Sequence, residues 1–128
     1  MDGQAKKEGI LLVDHGSRRE SANRVLPELA KLVAAESGRF TAHAHMELAA
    51  PSIADAVAAC AAAGVTELRV MPYFLSPGRH VKEDIPRLVE AAAADHPAMQ
   101  ISVTDALGGH PLLVKVILDR CRSSEHAD

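Results

Sequence analysis

Apolar and polar positions along this chain follow two periods, and the switches between them mark eight elements. Ile10-Leu11-Leu12-Val13 is an unbroken apolar run that stops on Asp14-His15-Gly16. That is the pattern of a short strand buried on both faces and closed by a tight turn. Ala22, Val25, Leu26, Leu29, Leu32 and Val33 then recur at helical spacing, with Gly38 as the stop. Pro27 lies inside that stretch and implies either a helix start near Ser21 or a kink. From Phe40 to Leu48 the period becomes two, with Ala42, Ala44, Met46 and Leu48 on one side and His43, His45 and Glu47 on the other. This predicts an edge strand with one polar face, or a strand facing a partner subunit.

Ser52 and Asp55 are spaced as a capping box at the start of a second helix, which Gly64 closes. Glu67 to Leu75 reads as the third strand, bulged or broken at Pro72, and Ser76-Pro77-Gly78-Arg79-His80 as a loop. A third helix is predicted from an Asp84 N-cap, with Pro86 in its first turn and a stripe of Ile85, Leu88, Val89 and Ala92. Met99 to Ala106 is the fourth strand. Gly108-Gly109-His110-Pro111 leads into a last helix with Pro111 at its first position and Leu113, Val116, Ile117 and Cys121 on one face.

Strands alternating with helices predict an α/β, three-layer sandwich around a four-stranded parallel sheet of order 2-1-3-4. Residues 9–122 form a single domain in this reading, flanked by flexible segments at 1–8 and 123–128. Strands one and three are then neighbours and the topological switch point lies between them. His15 follows strand one and His80 follows strand three, so both fall at one crevice.

Composition narrows the classes. The 128 residues are 48% hydrophobic and 24% charged, ordinary for a globular domain. Aromatics are 2% with no tryptophan, so alanine, leucine and valine must build the interior. A net charge of −3 argues against nucleic-acid or acidic-membrane binding. No apolar run reaches transmembrane length, and Met1 to Glu8 lacks the apolar core of a signal peptide. Cys60 and Cys121 form no C-x-x-C pair, which favours a reducing compartment.

Two histidines at a switch point form the strongest chemical constellation, because imidazole titrates near neutrality and ligates borderline metals. A phosphohistidine site would place arginine before His-Gly, where this chain has Asp14, and neither G-x-G-x-x-G nor a P-loop is present. His43 and His45 could grip a metal from one strand face, or form a solvated edge. Glu47 lies at the carboxyl end of that strand. His110 reads first as a helix cap, and His96 and His126 as surface residues. Arg18, Arg19, Arg79 and Lys82 put positive charge beside the crevice, or form a solvated rim.

Four segments resemble one family: Val13-Asp14-His15-Gly16-Ser17-Arg18; Met46 to Ile53, with Glu47 and Pro51-Ser52-Ile53; Pro72 to Val81 with Asp84-Ile85-Pro86; and Leu107 to Leu112. Together, from about Gly9 to Arg122, they are similar to the CbiX/SirB sirohydrochlorin chelatases, the ATP-independent class II enzymes. The resemblance implies a flavodoxin-like, chelatase-like fold and a lyase-class activity. That activity inserts a divalent metal (Co2+ or Fe2+, less readily Ni2+) into sirohydrochlorin during cobalamin or siroheme biosynthesis. It implies His15 and His80 as catalytic and metal-handling residues, with Glu47 assisting at the metal side. It assigns substrate contacts to Leu75, Ser76, Pro77, Gly78 and Arg79, and Arg18 adds positive charge for the substrate's carboxylates. No organic cofactor is expected, the metal being a substrate.

The short members work as homodimers, so a homodimer binding sirohydrochlorin is expected, with neither nucleic acid nor membrane as partner. The expected location is the cytoplasm, or an organelle stroma if a transit peptide has been removed. Ala50 stands where many relatives carry a second glutamate, so any side-chain contact there is lost. The alternative is a non-catalytic tetrapyrrole or metal carrier of the same fold.

Overall fold

The computed structural model describes residues 5–124; what was expected of residues 1–4 and 125–128, His126 included, lies outside the described residues. Four strands, β1 (Glu8–Asp14), β2 (Phe40–His45), β3 (Glu67–Pro72) and β4 (Gln100–Val103), pair in parallel in the order β2-β1-β3-β4. The expected sheet and its switch point between β1 and β3 are therefore present. Glu8 belongs to β1, and the Lys7 backbone N–H donates to Thr66 Oγ1 at 2.8 Å, so ordered structure begins before Gly9.

The apolar run of β1 is buried on both sides because its residues split between two cores. Leu11 and Val13 join Ala44, Leu68 and Val70 under α3 (Ile53–Ala62) and α4 (Arg79–Ala93), which contribute Ile53, Ala56, Val57, Ile85 and Val89. Ile10 and Leu12 join Met71 and Tyr73 under α2 (Val25–Ser37), which contributes Leu26 and Ala30. Fully burying a side chain of the size of Leu11 or Leu26 stabilises the fold by roughly 1.5–3 kcal/mol. Both layers therefore hang on β1.

Helix boundaries correct several expectations. The first helical stretch is split into α1 (Glu20–Asn23) and α2, and Pro27 sits in the first turn of α2, where a missing N–H costs nothing. The capping box of α3 is formed: Asp55 N–H donates to Ser52 Oγ at 3.1 Å and Ser52 N–H to Asp55 Oδ2 at 3.3 Å. Helix α4 does not start at Asp84; Gly78 is its N-cap and Pro86 is interior. Pro86 is exposed, so the ring faces water and the carbonyl it leaves unpaired can be hydrated. Arg79 and His80, expected in a loop, are thus the first residues of a helix. Strand β4 is shorter than expected, although Thr104 N–H still reaches Val70 O at 2.8 Å.

Helix α5 (Leu113–Ser124) starts two residues after Pro111 and takes in Ser123 and Ser124, which were expected in a loose tail. The turn before it contains His110, whose Nδ1 accepts the Leu112 N–H at 3.1 Å, the capping role anticipated for it. Val114, Val116, Ile117 and Leu118 are all exposed. On the α2 side of the sheet, Arg69 and Ser102 of β3 and β4 are exposed as well. Coverage on both faces therefore holds over β1 and β2 but not over the β3–β4 half on that side.

The upper rim is knit by close backbone approaches. Gly108 N–H donates to Phe74 O at 2.9 Å, and a Cβ on Gly108 would run into the carbonyl of Leu75. Gly108→Ala should therefore lower unfolding stability by about 2 kcal/mol or more, whereas Gly78→Ala, with open space around it, should cost under about 1 kcal/mol. Urea unfolding of the two variants measures the difference, and equal midpoints would contradict the packing described.

Candidate functional site

The pairing of β1 with β2 does not end with the strands. Asp14 and His45 are the last register partners, and beyond them Met46 N–H donates to Asp14 O at 2.8 Å and Glu47 N–H to His15 O at 3.0 Å. Glu47 is therefore in the loop after β2, not on the strand as its period-two position suggested, but its N–H still ties that loop to the residue after β1. The loop turns back at Leu48, which has φ 72°, an uncommon conformation for a residue with a branched side chain. His45 N–H donates to Pro51 O at 2.9 Å and closes the turn. Gly16 faces this loop at φ 96°, where a Cβ would collide with the Glu47 carbonyl.

This framework brings His15 and Glu47 together. His15 Nε2 lies 2.9 Å from Glu47 Oε2, and the side chains are 46% and 55% exposed. His15 Nδ1 is 3.3 Å from the Gly16 carbonyl, which can only accept, so Nδ1 carries a proton. A divalent cation could take these two donors, since imidazole and carboxylate both ligate borderline metals. Downstream, Ser17 N–H donates to Asn23 Oδ1 at 2.9 Å and Asn23 Nδ2 to Ser17 O at 2.7 Å, which fixes the loop after His15. The sequence reading missed Asn23.

His45 is the main correction. It was grouped with His43 as either a strand-borne metal grip or a solvated face, but its side chain is 2% exposed and its Nδ1–H donates to Asp14 Oδ1 at 2.6 Å. The α2 side of the sheet covers it, so on the polar face of β2 His45 is internal while His43 is half-buried. The His43 ring meets the His45 ring edge-on, 5.5 Å between centroids. Burial, reinforced by the neighbouring His45, holds His43 below its ordinary value of 6.5, with Asp14 opposing the shift. Among the described residues, no group of three or more His, Cys, Asp or Glu side chains is placed to hold a metal ion. His15 and Glu47 are a pair.

The other expected residues lie along the same carboxyl edge. His80 is in the first turn of α4, and its side chain lies outside the described set. Leu75, Ser76, Pro77 and Gly78 form the connection from β3, with Leu75 66% exposed. Arg79 is exposed and pairs with Glu83 at 3.2 Å, a surface contact too weak to hold it from another partner. Arg18 and Arg19 are exposed beyond His15. Lys82 lines a cavity of about 330 Å³ between α4 and the ends of β3 and β4, with Pro72, Pro77, Val81, Thr104 and Asp105. His15 and Glu47 stand on the open rim outside that cavity.

Cys60 and Cys121 are both free, and burial pushes the Cys60 thiol up to about 11, consistent with a packing role.

The lowered His43 has a sign that can be checked. Acid protonates the unfolded chain first, so this group removes stability as pH falls through 6.5 toward its folded value and has no effect above. His43→Gln should make stability less sensitive to acid between about pH 7.5 and about pH 5.5. Urea unfolding at both pH values measures it, and an unchanged loss on acidification would contradict the half-buried setting of His43.

Comparison with known proteins places this geometry. The CbiX family model matches residues 9–124. The sirohydrochlorin ferrochelatase of Arabidopsis thaliana, a chloroplastic protein, is 42% identical over 120 residues, covering 93% of this chain but 53% of the relative. The chain thus spans about half the length of that protein. The sirohydrochlorin cobaltochelatase of Methanothermobacter thermautotrophicus is 32% identical, with 94% of this chain and 95% of that one covered. Among solved structures, the sirohydrochlorin chelatase SirB of Bacillus subtilis subspecies spizizenii, in complex with cobalt, superposes with a TM-score of 0.82 at 30% identity. It covers 91% of this chain and 50% of that one. A fold, a rim geometry and a family match that extend over nearly all of the described residues lead to one assignment: this chain belongs to the CbiX family.

Proposed function

We propose that this chain inserts a divalent metal, Co2+ or Fe2+ and less readily Ni2+, into sirohydrochlorin without ATP, as a lyase-class chelatase. The observation that carries the proposal is the 2.9 Å pair of His15 Nε2 and Glu47 Oε2 on the open carboxyl edge of the sheet. Relatives over nearly the whole chain are named for this reaction, with iron and with cobalt. Metallation exchanges one M2+ for the two pyrrole N–H protons of the ring, so it needs a metal held loosely enough to leave and a base to take protons. His15 and Glu47 meet both needs in turn. Held between two donors, the metal keeps water in its other positions and can be passed on. Once it has moved to the ring nitrogens, the freed imidazole and carboxylate can accept the released protons. His80, on the neighbouring α4, is the second histidine of the reading, and residues 75–79 with Arg18 contact the macrocycle.

No organic cofactor takes part. The setting is the cytoplasm or, as for the chloroplastic relative, an organelle stroma. No helix among the described residues is long and apolar enough to cross a membrane.

The working unit in this reading is a homodimer. The His15–Glu47 rim is half open, whereas ligand sites commonly bury most of their ligand. Val114, Val116, Ile117 and Leu118 on α5 are exposed, as is half of one sheet face. An isologous pair could cover both. Light scattering should then give about twice the 13.6 kDa chain mass, and Ile117→Asp should give a monomer with impaired turnover. A wild-type monomer that is fully active would overturn the dimer.

The activity test is anaerobic: sirohydrochlorin plus Co2+ or Fe2+ should change its visible spectrum faster with protein than without. His15→Ala and His80→Ala should each slow turnover by roughly 100-fold or more, and Glu47→Gln should also impair it. His43→Ala should be nearly silent in rate. Tight binding of the macrocycle with no acceleration would favour the carrier reading, and wild-type rates in both histidine variants would sink the site.

A further inference from the structure

We propose that Asp14 and His45 are positioning residues that fix the distance between His15 and Glu47. The proposal rests on the chelatase reading only for its kinetic part. His45 is the one buried polar side chain among the described residues, in a core otherwise built from aliphatic groups, one cysteine and one methionine. Burial alone would be served better by leucine or phenylalanine, because a buried polar group must recover its hydrogen bonds. His45 recovers one from Asp14, 2.6 Å away on the adjacent strand. That partner is the residue immediately before His15.

The connection acts on both ends of the metal-handling pair. Asp14 is bound to the β2 segment twice, by its carboxylate to His45 and by its carbonyl to Met46 N–H at 2.8 Å. Two bonds from one residue to neighbouring residues of the opposite segment restrict its rotation and so aim the Cα–Cβ bond of His15. On the other side, His45 is held through its ring by Asp14 and through its N–H by Pro51, which fixes where the Glu47 loop leaves the strand. Gly16, lacking a Cβ, lets the Glu47 carbonyl come in close beside the His15 loop. A contact of 2.9 Å between two half-exposed side chains depends on such support, since either side chain alone has several rotamers in water. Displacement by about 1 Å can cost orders of magnitude in rate.

A purely structural cross-tie would affect stability without changing the pair. The full-length chain should be made as His45→Phe, which keeps a ring but removes the donor, and as His45→Asn, which can place a nitrogen near the Nδ1 position. Crystal structures and steady-state kinetics of both are compared with the wild type. In His45→Phe the His15 Nε2 to Glu47 Oε2 separation should exceed about 3.5 Å. Its kcat should fall by about tenfold or more with KM for sirohydrochlorin within about twofold. His45→Asn should restore both the contact and most of kcat. Retention of the short contact and of wild-type kcat in folded His45→Phe would overturn the proposal, as would His45→Asn impaired equally with His45→Phe. If His45→Phe does not fold, Asp14→Leu, which keeps the branched side-chain shape but removes the acceptor, takes its place with the same two outcomes. A wild-type chain that inserts no metal would sink the chelatase reading instead, and the crystallographic separation alone would then decide the positioning role.

Discussion

The structure depends on the pairing of β1 with β2 continuing past the point where both strands formally end. Two backbone bonds, from Met46 to Asp14 and from Glu47 to His15, tie together what would otherwise be independent loops. Loops on the carboxyl edge of an α/β sheet are where such folds place chemistry, but a loop alone positions a side chain poorly. Here the sheet lends its rigidity to the loop. The cost is visible in the φ of Leu48 and in the requirement for glycine at position 16, both beside Glu47. Strain of this kind gathers where geometry matters more than stability.

Below that rim, β1 is the element shared by both cores, with Leu11 and Val13 on one side and Ile10 and Leu12 on the other. A perturbation of β1 therefore reaches both helical layers and the His15 loop together. The asymmetry lies elsewhere. Helices α3 and α4 cover one face, whereas on the opposite face α2 covers β1 and β2 and leaves exposed side chains on β3 and β4. An amphipathic α5 with its aliphatic residues in water and a sheet half without a cover belong to the same problem. Both are answered at once by a second copy in the proposed dimer.

Much of this was legible in the sequence because it depends on local pattern. The apolar run before Asp14, the Ser52–Asp55 capping box and the strand–helix alternation fix the sheet order through general rules of connection. The start of α4 was not legible. Asp84 before Ile85-Pro86 is a good capping sequence, and only the packing of Ile85 and Val89 on the sheet shows that the helix runs on from Arg79. His45 was misread for a related reason. Period two puts His43, His45 and Glu47 on one face, but whether that face meets water or α2 is a tertiary fact. The Asp14–His45 bond requires the register between strands 31 residues apart in sequence, which no local pattern contains. Glu47, singled out in the sequence for its place at the end of β2, does lie beside His15, although the backbone that holds it is a loop.

Cobalt in a crystal of the wild-type protein tests the central claim most directly. Anomalous scattering at the cobalt edge should place the ion between His15 Nε2 and Glu47 Oε2, with His45 still bonded to Asp14 beneath. Cobalt bound instead by His43 and His45, with the Asp14 bond broken and the His15–Glu47 pair intact, would contradict the account.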